Sequence, residues 1–159
     1  ILDSSMSVDV GDKAPEFTLP TYSDQTLSLK DLKGKTVVLY FYPKDMTPGC
    51  TTEAGGFRDR MAAFEKAGAV VVGASKDSPK RHDKFKAKHD LNFALLSDED
   101  GALCGAYGVW QLKKFMGREF MGIVRTTFVI DATGVIRNVW RKVRVKNHAE
   151  DVLEAVRAL

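Results

Sequence analysis

Thr36-Val-Val-Leu-Tyr-Phe-Tyr42 runs directly into Pro43-Lys-Asp-Met-Thr-Pro-Gly-Cys50, and this stretch decides how the rest of the chain is read. Its first half is a continuous apolar run of β-branched and aromatic residues, the pattern of a strand buried on both faces. Its second half breaks that run with two prolines and a glycine and ends at a cysteine, which reads as a turn from strand into helix. Cys50 therefore stands at the C-terminal end of a buried strand, the edge where open α/β sheets hold ligands and reactive groups. Ala69-Val-Val-Val-Gly-Ala74 is a second run of the same kind. Between the two, Ala54, Phe57, Met61 and Phe64 recur at helical spacing and Gly68 supplies a stop, so one helix packed on the sheet is expected.

Outward from this core the same alternation continues. Ser78-Pro79 opens a basic helix to about His89, Leu91–Leu96 reads as a short strand, and Asp98 is placed to cap a helix through Ala106. Gly108–Gly122 shows no clear period and reads as an irregular loop. Arg125–Asp131 and Val135–Val143 are strand runs joined through Ala-Thr-Gly134, an antiparallel pair. A last helix starts at an Asn147 cap, with Val152, Val156 and Leu159 on one face. Near the front, Phe17–Pro20 and Thr26–Leu29 form a small hairpin. The expected fold class is α/β, a central mixed β-sheet flanked by helices, with an N-terminal β-hairpin.

The chain has 159 residues, which at roughly 100–200 residues per domain gives one domain. Ile1–Ser5 read as an added leader and Met6 as the native start, leaving residues 6–159 as the domain; a chain matured by loss of a transit peptide is also compatible. Two cysteines, Cys50 and Cys104, with no CxxC pair, exclude a disulfide scaffold. Lys plus Arg 24 against Asp plus Glu 21 leaves +3, too little to argue for nucleic acid. Residues 1–100 hold 14 basic and 16 acidic side chains and residues 101–159 hold 10 and 5, so the excess is in the last third. Lys80, Arg81, Lys84 and Lys88 read as a solvated helix face, and Arg141, Lys142, Arg144 and Lys146 as a charged edge that discourages strand pairing. No apolar run nears the ~20 residues of a membrane span. The expectations are a cytoplasmic protein with no membrane and no nucleic-acid partner. His82, His89 and His148 show no ligand spacing with a cysteine or one another, so no metal is expected.

The chemistry centres on Cys50. In the first turn of a helix a thiol meets unpaired amide N–H groups and the positive end of the dipole, both of which favour thiolate. Pro43-x-x-x-Thr47-x-x-Cys50, after Leu39-Tyr-Phe-Tyr42 and before Thr51-Thr-Glu53, resembles the peroxidatic signature of peroxiredoxins, nearest to the bacterioferritin comigratory protein or peroxiredoxin Q subfamily. Gly11-Asp-Lys-Ala-Pro15, Leu95-Leu-Ser-Asp98, Tyr107-Gly-Val-Trp110 and Arg125-Thr-Thr-Phe-Val-Ile-Asp131 carry the resemblance over almost the whole chain. It implies a thioredoxin-like fold, no cofactor, and an antioxidant peroxidase with a redox-active centre that reduces hydrogen peroxide and organic hydroperoxides through a Cys50 thiolate and sulfenic acid. It further implies catalytic roles for Cys50, Thr47, Arg125, Pro43 and Glu53, with Gly49, Cys50, Thr47 and Arg125 binding the peroxide and Glu53 holding the arginine. Donors aimed at sulfur and at the leaving oxygen lower the barrier to O–O displacement. Thr47 offers a hydroxyl, Gly49 and Cys50 their amides, and Arg125 a forked cation.

The sequence departs from the subfamily where many members carry a resolving cysteine five residues after the first, because Gly55 stands there. Gly55-Gly56 also costs the helix about 1 kcal/mol per glycine against alanine. Two routes for recycling a Cys50 sulfenic acid stay open. Cys104 resolves it within the chain or across a dimer, or an external thiol such as thioredoxin, glutaredoxin or glutathione does. The external thiol is the preferred expectation, with Cys104 as a half-buried structural thiol and the protein a monomer or weak homodimer. The alternative function is a peroxide-sensing or holdase-like binding protein switched by Cys50 oxidation.

Overall fold

The computed structural model describes residues 8–22 and 25–159; the leader assigned to residues 1–5 lies outside them. β3 (Thr36–Phe41) is the middle strand of a five-stranded sheet. It pairs in parallel with β4 (Ala69–Ser75), which pairs in parallel with β5 (Ala94–Ser97). On its other side it pairs antiparallel with β8 (Thr126–Ile130), and β8 with β9 (Ile136–Arg141). The sheet is thus mixed, as the alternation of runs and helices predicts. β1 (Thr18–Tyr22) and β2 (Gln25–Ser28) form the expected N-terminal hairpin.

Period-two alternation along β3 divides the core in two. Val38, Tyr40 and Tyr42 join a cluster with Phe57, Phe64 and Val152, contributed by α1 (Pro48–Asp59), α2 (Met61–Lys66) and α5 (His148–Arg157). Val37, Leu39 and Phe41 face the opposite cluster, with Leu103 and Tyr107 from around α4 (Ala102–Ala106) and Phe17 and Leu29 from the N-terminal segment. Burial on both faces is why these strands read as unbroken apolar runs. α3 (Pro79–His89) begins at Ser78, whose hydroxyl accepts from Arg81 N–H, and Phe85 anchors it in the first cluster.

Several boundaries differ from the sequence reading. The single helix expected over Ala54–Phe64 is two, broken at Arg60, although the apolar spacing runs on across the break. Residues 108–122 are no irregular loop: β6 (Trp110–Phe115) and β7 (Arg118–Ile123) form a hairpin joined by Met116-Gly117, both at positive φ. Its outer part is solvated on both faces, so no alternation of apolar and polar residues was there to find. Asp98 does cap α4, but from three residues before the Gly101 N-cap, its carboxylate accepting from Leu103 and Cys104 N–H at 3.0 and 2.8 Å. Asn147 is the N-cap of α5 without a side-chain capping bond, at φ 59°. Val152 and Val156 enter the core whereas Leu159, past the helix end, is exposed. The Lys80, Arg81, Lys84 and Lys88 face is solvated, and β9, which ends at Arg141, is an edge strand.

Candidate active site

Cys50 is the third residue of α1, behind the Thr47 N-cap and Pro48 at the first helical position. Thr51 N–H makes the first backbone bond of the helix, to Thr47 C=O at 2.9 Å, so the Gly49 and Cys50 amides have no carbonyl within the helix to reach. The Cys50 side is buried, at 1% exposure, in the first core cluster. Arg125, in the two-residue link between β7 and β8, places Nη2 3.4 Å from Cys50 Sγ and donates from Nη1 to Glu53 Oε1 at 2.6 Å. One guanidinium thereby bridges two residues of successive turns on one face of α1. Gly49 makes room for it: a Cβ there would lie 3.2 Å from Arg125 Nη2.

Burial raises the Glu53 carboxyl to about pH 7 against the opposing pull of Arg125, and its Oε2 has no hydrogen-bond partner. Burial works against the Arg125 charge, but Glu53 and Cys50 together outweigh it and hold its pKa above the ordinary value. Thr47 behaves differently from the sequence expectation of a donor toward the reacting atoms. Its hydroxyl donates to Lys44 C=O at 3.0 Å, which leaves the oxygen lone pairs as its free function. Pro43 is half-buried at the start of the same turn.

The turn between Pro43 and Thr47 is held from beneath by a network the sequence reading missed. Asp45 is buried; it accepts from Tyr42 Oη–H at 2.5 Å and meets His82 Nδ1 at 2.6 Å, while its backbone N–H donates to Asp77 at 2.8 Å. His82 Nε2 lies 3.0 Å from Leu96 C=O, so that nitrogen carries a proton and donates. Asp77 also accepts from Ser75 Oγ–H and Arg81 Nε–H. Asp45, Asp77 and His82 lie close enough to share an ion, but their polar atoms are already engaged with these donors and with one another. The network fixes a turn in which Met46 takes φ 70°. No local spacing in the sequence signals the network, because His82 meets Asp45 from 37 residues away.

Cys104 is not half-buried but fully buried, and it belongs to the cluster on the other side of the sheet from Cys50. Burial and the Asp98 carboxylate beside it push its thiol far above the usual range. Both cysteines are free. Gly55 has ordinary room for a Cβ, whereas one on Gly56 would lie 3.3 Å from Ala149 Cβ, so Gly56 allows α1 and α5 to approach closely.

The chain is similar to known proteins along nearly its whole length. The chain is 50% identical to the peroxiredoxin Bcp of Bacillus subtilis over 152 residues, covering 96% of this chain and 97% of that protein. Its fold superposes on the bacterioferritin comigratory protein of Xanthomonas campestris, a structure described for its alkyl peroxide reduction, with TM-score 0.85 and 43% identity over 89% of this chain and 90% of the other. A Xylella fastidiosa PrxQ variant gives TM-score 0.89 and 40% identity over 94% and 96%. The fold is therefore the thioredoxin fold of these peroxiredoxins. Residues 10–139 match the AhpC/TSA family, and the chain accordingly belongs to that family as a peroxiredoxin, a thiol-dependent peroxidase.

Proposed function

We propose that Cys50 is the peroxidatic nucleophile, that Arg125, Thr47, Pro43 and the Gly49 and Cys50 amides form the peroxide site, that Glu53 positions Arg125, and that an external thiol completes the cycle. The approach of Arg125 Nη2 to Cys50 Sγ at 3.4 Å carries this reading. The Cys50 thiolate attacks the terminal oxygen of R–O–O–H; the S–O bond forms as the O–O bond breaks, and R–O⁻ leaves and takes up a proton. Sulfur is oxidised to the sulfenic acid and the peroxide is reduced to water or alcohol. Arg125 and the two amides face the charge spread over sulfur and the departing oxygen. Thr47, with its own proton committed to Lys44 C=O, accepts the hydroperoxide O–H and orients it. Pro43 covers the turn and limits water.

Recycling by an external thiol is supported by Gly55 at the resolving position and by the burial of Cys104 across the sheet. One thiol converts Cys50–S–OH to a mixed disulfide with loss of water; a second releases the Cys50 thiol and leaves the donor oxidised. Thioredoxin, glutaredoxin and glutathione are the donors in view, acting in the cytoplasm on a monomer or weak homodimer. Stopped-flow oxidation by hydrogen peroxide, followed by donor-driven turnover, tests the reading. Cys50→Ser should abolish both steps, and Cys104→Ser should leave both within about twofold. Peroxide consumption by Cys50→Ser refutes the nucleophile, and a Cys50–Cys104 disulfide in peptide maps refutes the external route. Rapid Cys50 oxidation without turnover by any thiol favours a peroxide sensor.

A further inference from the structure

Five of the eight exposed large apolar side chains among the described residues fall within the β6–β7 hairpin: Leu112, Phe115, Met116, Phe120 and Met121. Such concentration on one small element marks a contact surface. The hairpin register separates its two faces. Lys113 pairs with Phe120 and Phe115 with Arg118, so these four side chains share one face; Leu112 with Met121 and Lys114 with Glu119 share the other. The two faces differ in charge. Lys114 is paired to Glu119 at 3.5 Å, whereas no carboxylate pairs with Lys113 or Arg118 among the described residues. The first face is thus two aromatic rings and two unneutralised cations.

That face also reaches back toward the segment that carries Arg125. Lys113 Nζ donates to Ile123 C=O at 3.0 Å, two residues before Arg125. Burial and the Arg125 charge lower the Lys113 ammonium, with Cys50 pulling the other way, so the three groups lie in one electrostatic neighbourhood. A Cβ on Gly122 would lie 3.0 Å from Lys113 Cδ and 3.5 Å from the Phe120 ring, which places both side chains over the stretch leading to Arg125. Lys113 and Phe120, the inner end of this face, thus join it to the segment that carries Arg125.

We propose that the Lys113, Phe115, Arg118 and Phe120 face of the hairpin docks the protein that reduces oxidised Cys50, a dithiol protein whose reactive cysteine is ringed by apolar and acidic side chains. The inference rests on the external-thiol reading above. Charge complementarity selects the occupant: a two-fold contact of this face with a second copy would set Lys113 and Arg118 against themselves, while an acidic rim neutralises them and raises the encounter rate. A small thiol has no use for an apolar surface of this extent. On docking, one donor thiol condenses with Cys50–S–OH to a mixed disulfide and water. The second donor thiol then attacks the donor's own sulfur, releasing Cys50 thiolate and oxidised partner.

The test oxidises Cys50 with one equivalent of hydrogen peroxide and follows its reduction by dithiothreitol and by reduced thioredoxin of negative net charge. Phe115→Ser/Arg118→Glu should lower the thioredoxin rate constant at least tenfold and leave the peroxide and dithiothreitol steps within twofold. Leu112→Ser/Met121→Ser, on the other face, should leave all three unchanged. The wild-type thioredoxin rate should fall as salt is raised. An undiminished thioredoxin rate in the first variant, an equal loss with dithiothreitol, or an equal loss in the opposite-face variant overturns the proposal. So does reduction of the wild type by glutathione but not by thioredoxin. Wild-type Cys50 that no thiol reduces overturns the external-thiol reading instead.

Discussion

At the scale of single residues, the candidate site holds one planar cation that reaches two acceptors at once. Arg125 lies 72 residues from Glu53 and 75 from Cys50, yet bonds both. A lysine at 125 keeps the charge but has a single ammonium, which cannot span Oε1 and Sγ in the geometry of the fork. Arg125→Lys should therefore lower the second-order rate constant of Cys50 with hydrogen peroxide by about 10–100-fold, or about 1.4–2.7 kcal/mol of barrier. Stopped-flow tryptophan fluorescence measures it, and a rate within twofold of wild type would remove Arg125 from the site. The residue types of this candidate site were named in the sequence through the resemblance, Cys50, Thr47, Gly49 and Glu53 from one motif and Arg125 from another. What the sequence could not show was direction: that Gly49 makes room for a guanidinium, and that the Thr47 proton goes to Lys44 C=O. Both facts depend on where Arg125 and the turn backbone arrive in space.

Among elements, the buried strands were readable and the β6–β7 hairpin was not, for one physical reason. β3 and β4 are covered on both faces and their composition follows from burial alone. The β6–β7 hairpin has little core to face, so its residues answer to solvent and contact surface, and only Met116-Gly117 marks the turn. Gly73 shows how tightly the readable part is packed. It sits in β4 opposite Tyr40, where a Cβ would come 2.8 Å from Leu95 Cδ2 and 2.9 Å from Tyr40 Cζ. Neither neighbour has room to withdraw, since both are fully buried and the Tyr40 ring stacks on Phe57 of α1 at 4.7 Å. Gly73→Ala should cost about 1–3 kcal/mol, the usual penalty for overpacking, seen as a lower urea midpoint at unchanged slope. An unshifted midpoint would mean that the Tyr40 layer is looser than this packing implies.

Across the whole molecule, two buried groups on the same side of the sheet bind protons in opposite senses, and the stability of the fold records the difference. Glu53 is raised from 4.5 to about 7 by burial, so its contribution is fully present below pH 4.5 and is lost as pH rises to about 7. His148 is buried, with Nε2 2.8 Å from Thr127 Oγ1 and its ring edge-on to Phe57 and Trp140. Burial lowers it from 6.5 to about 4, so its contribution is present above pH 6.5 and is lost as pH falls toward 4. Each group taken alone gives a slope of at most about 1.4 kcal/mol per pH unit inside its window. The windows overlap between pH 4.5 and 6.5 and the signs are opposite, so in the intact protein the two slopes offset. Substitution separates them. Relative to wild type, Glu53→Gln should gain stability as pH rises from 4.5 to 7, because the variant has no buried carboxyl to ionise. His148→Gln should gain relative to wild type as pH falls from 6.5 to 4, because it has no buried imidazole to charge. Urea unfolding of the three proteins at pH 4.5, 5.5, 6.5 and 7.5 measures both differences. Differences that stay flat across this range, or that run with the same sign for the two variants, would mean that Glu53 and His148 exchange their protons no differently in the folded and unfolded chains.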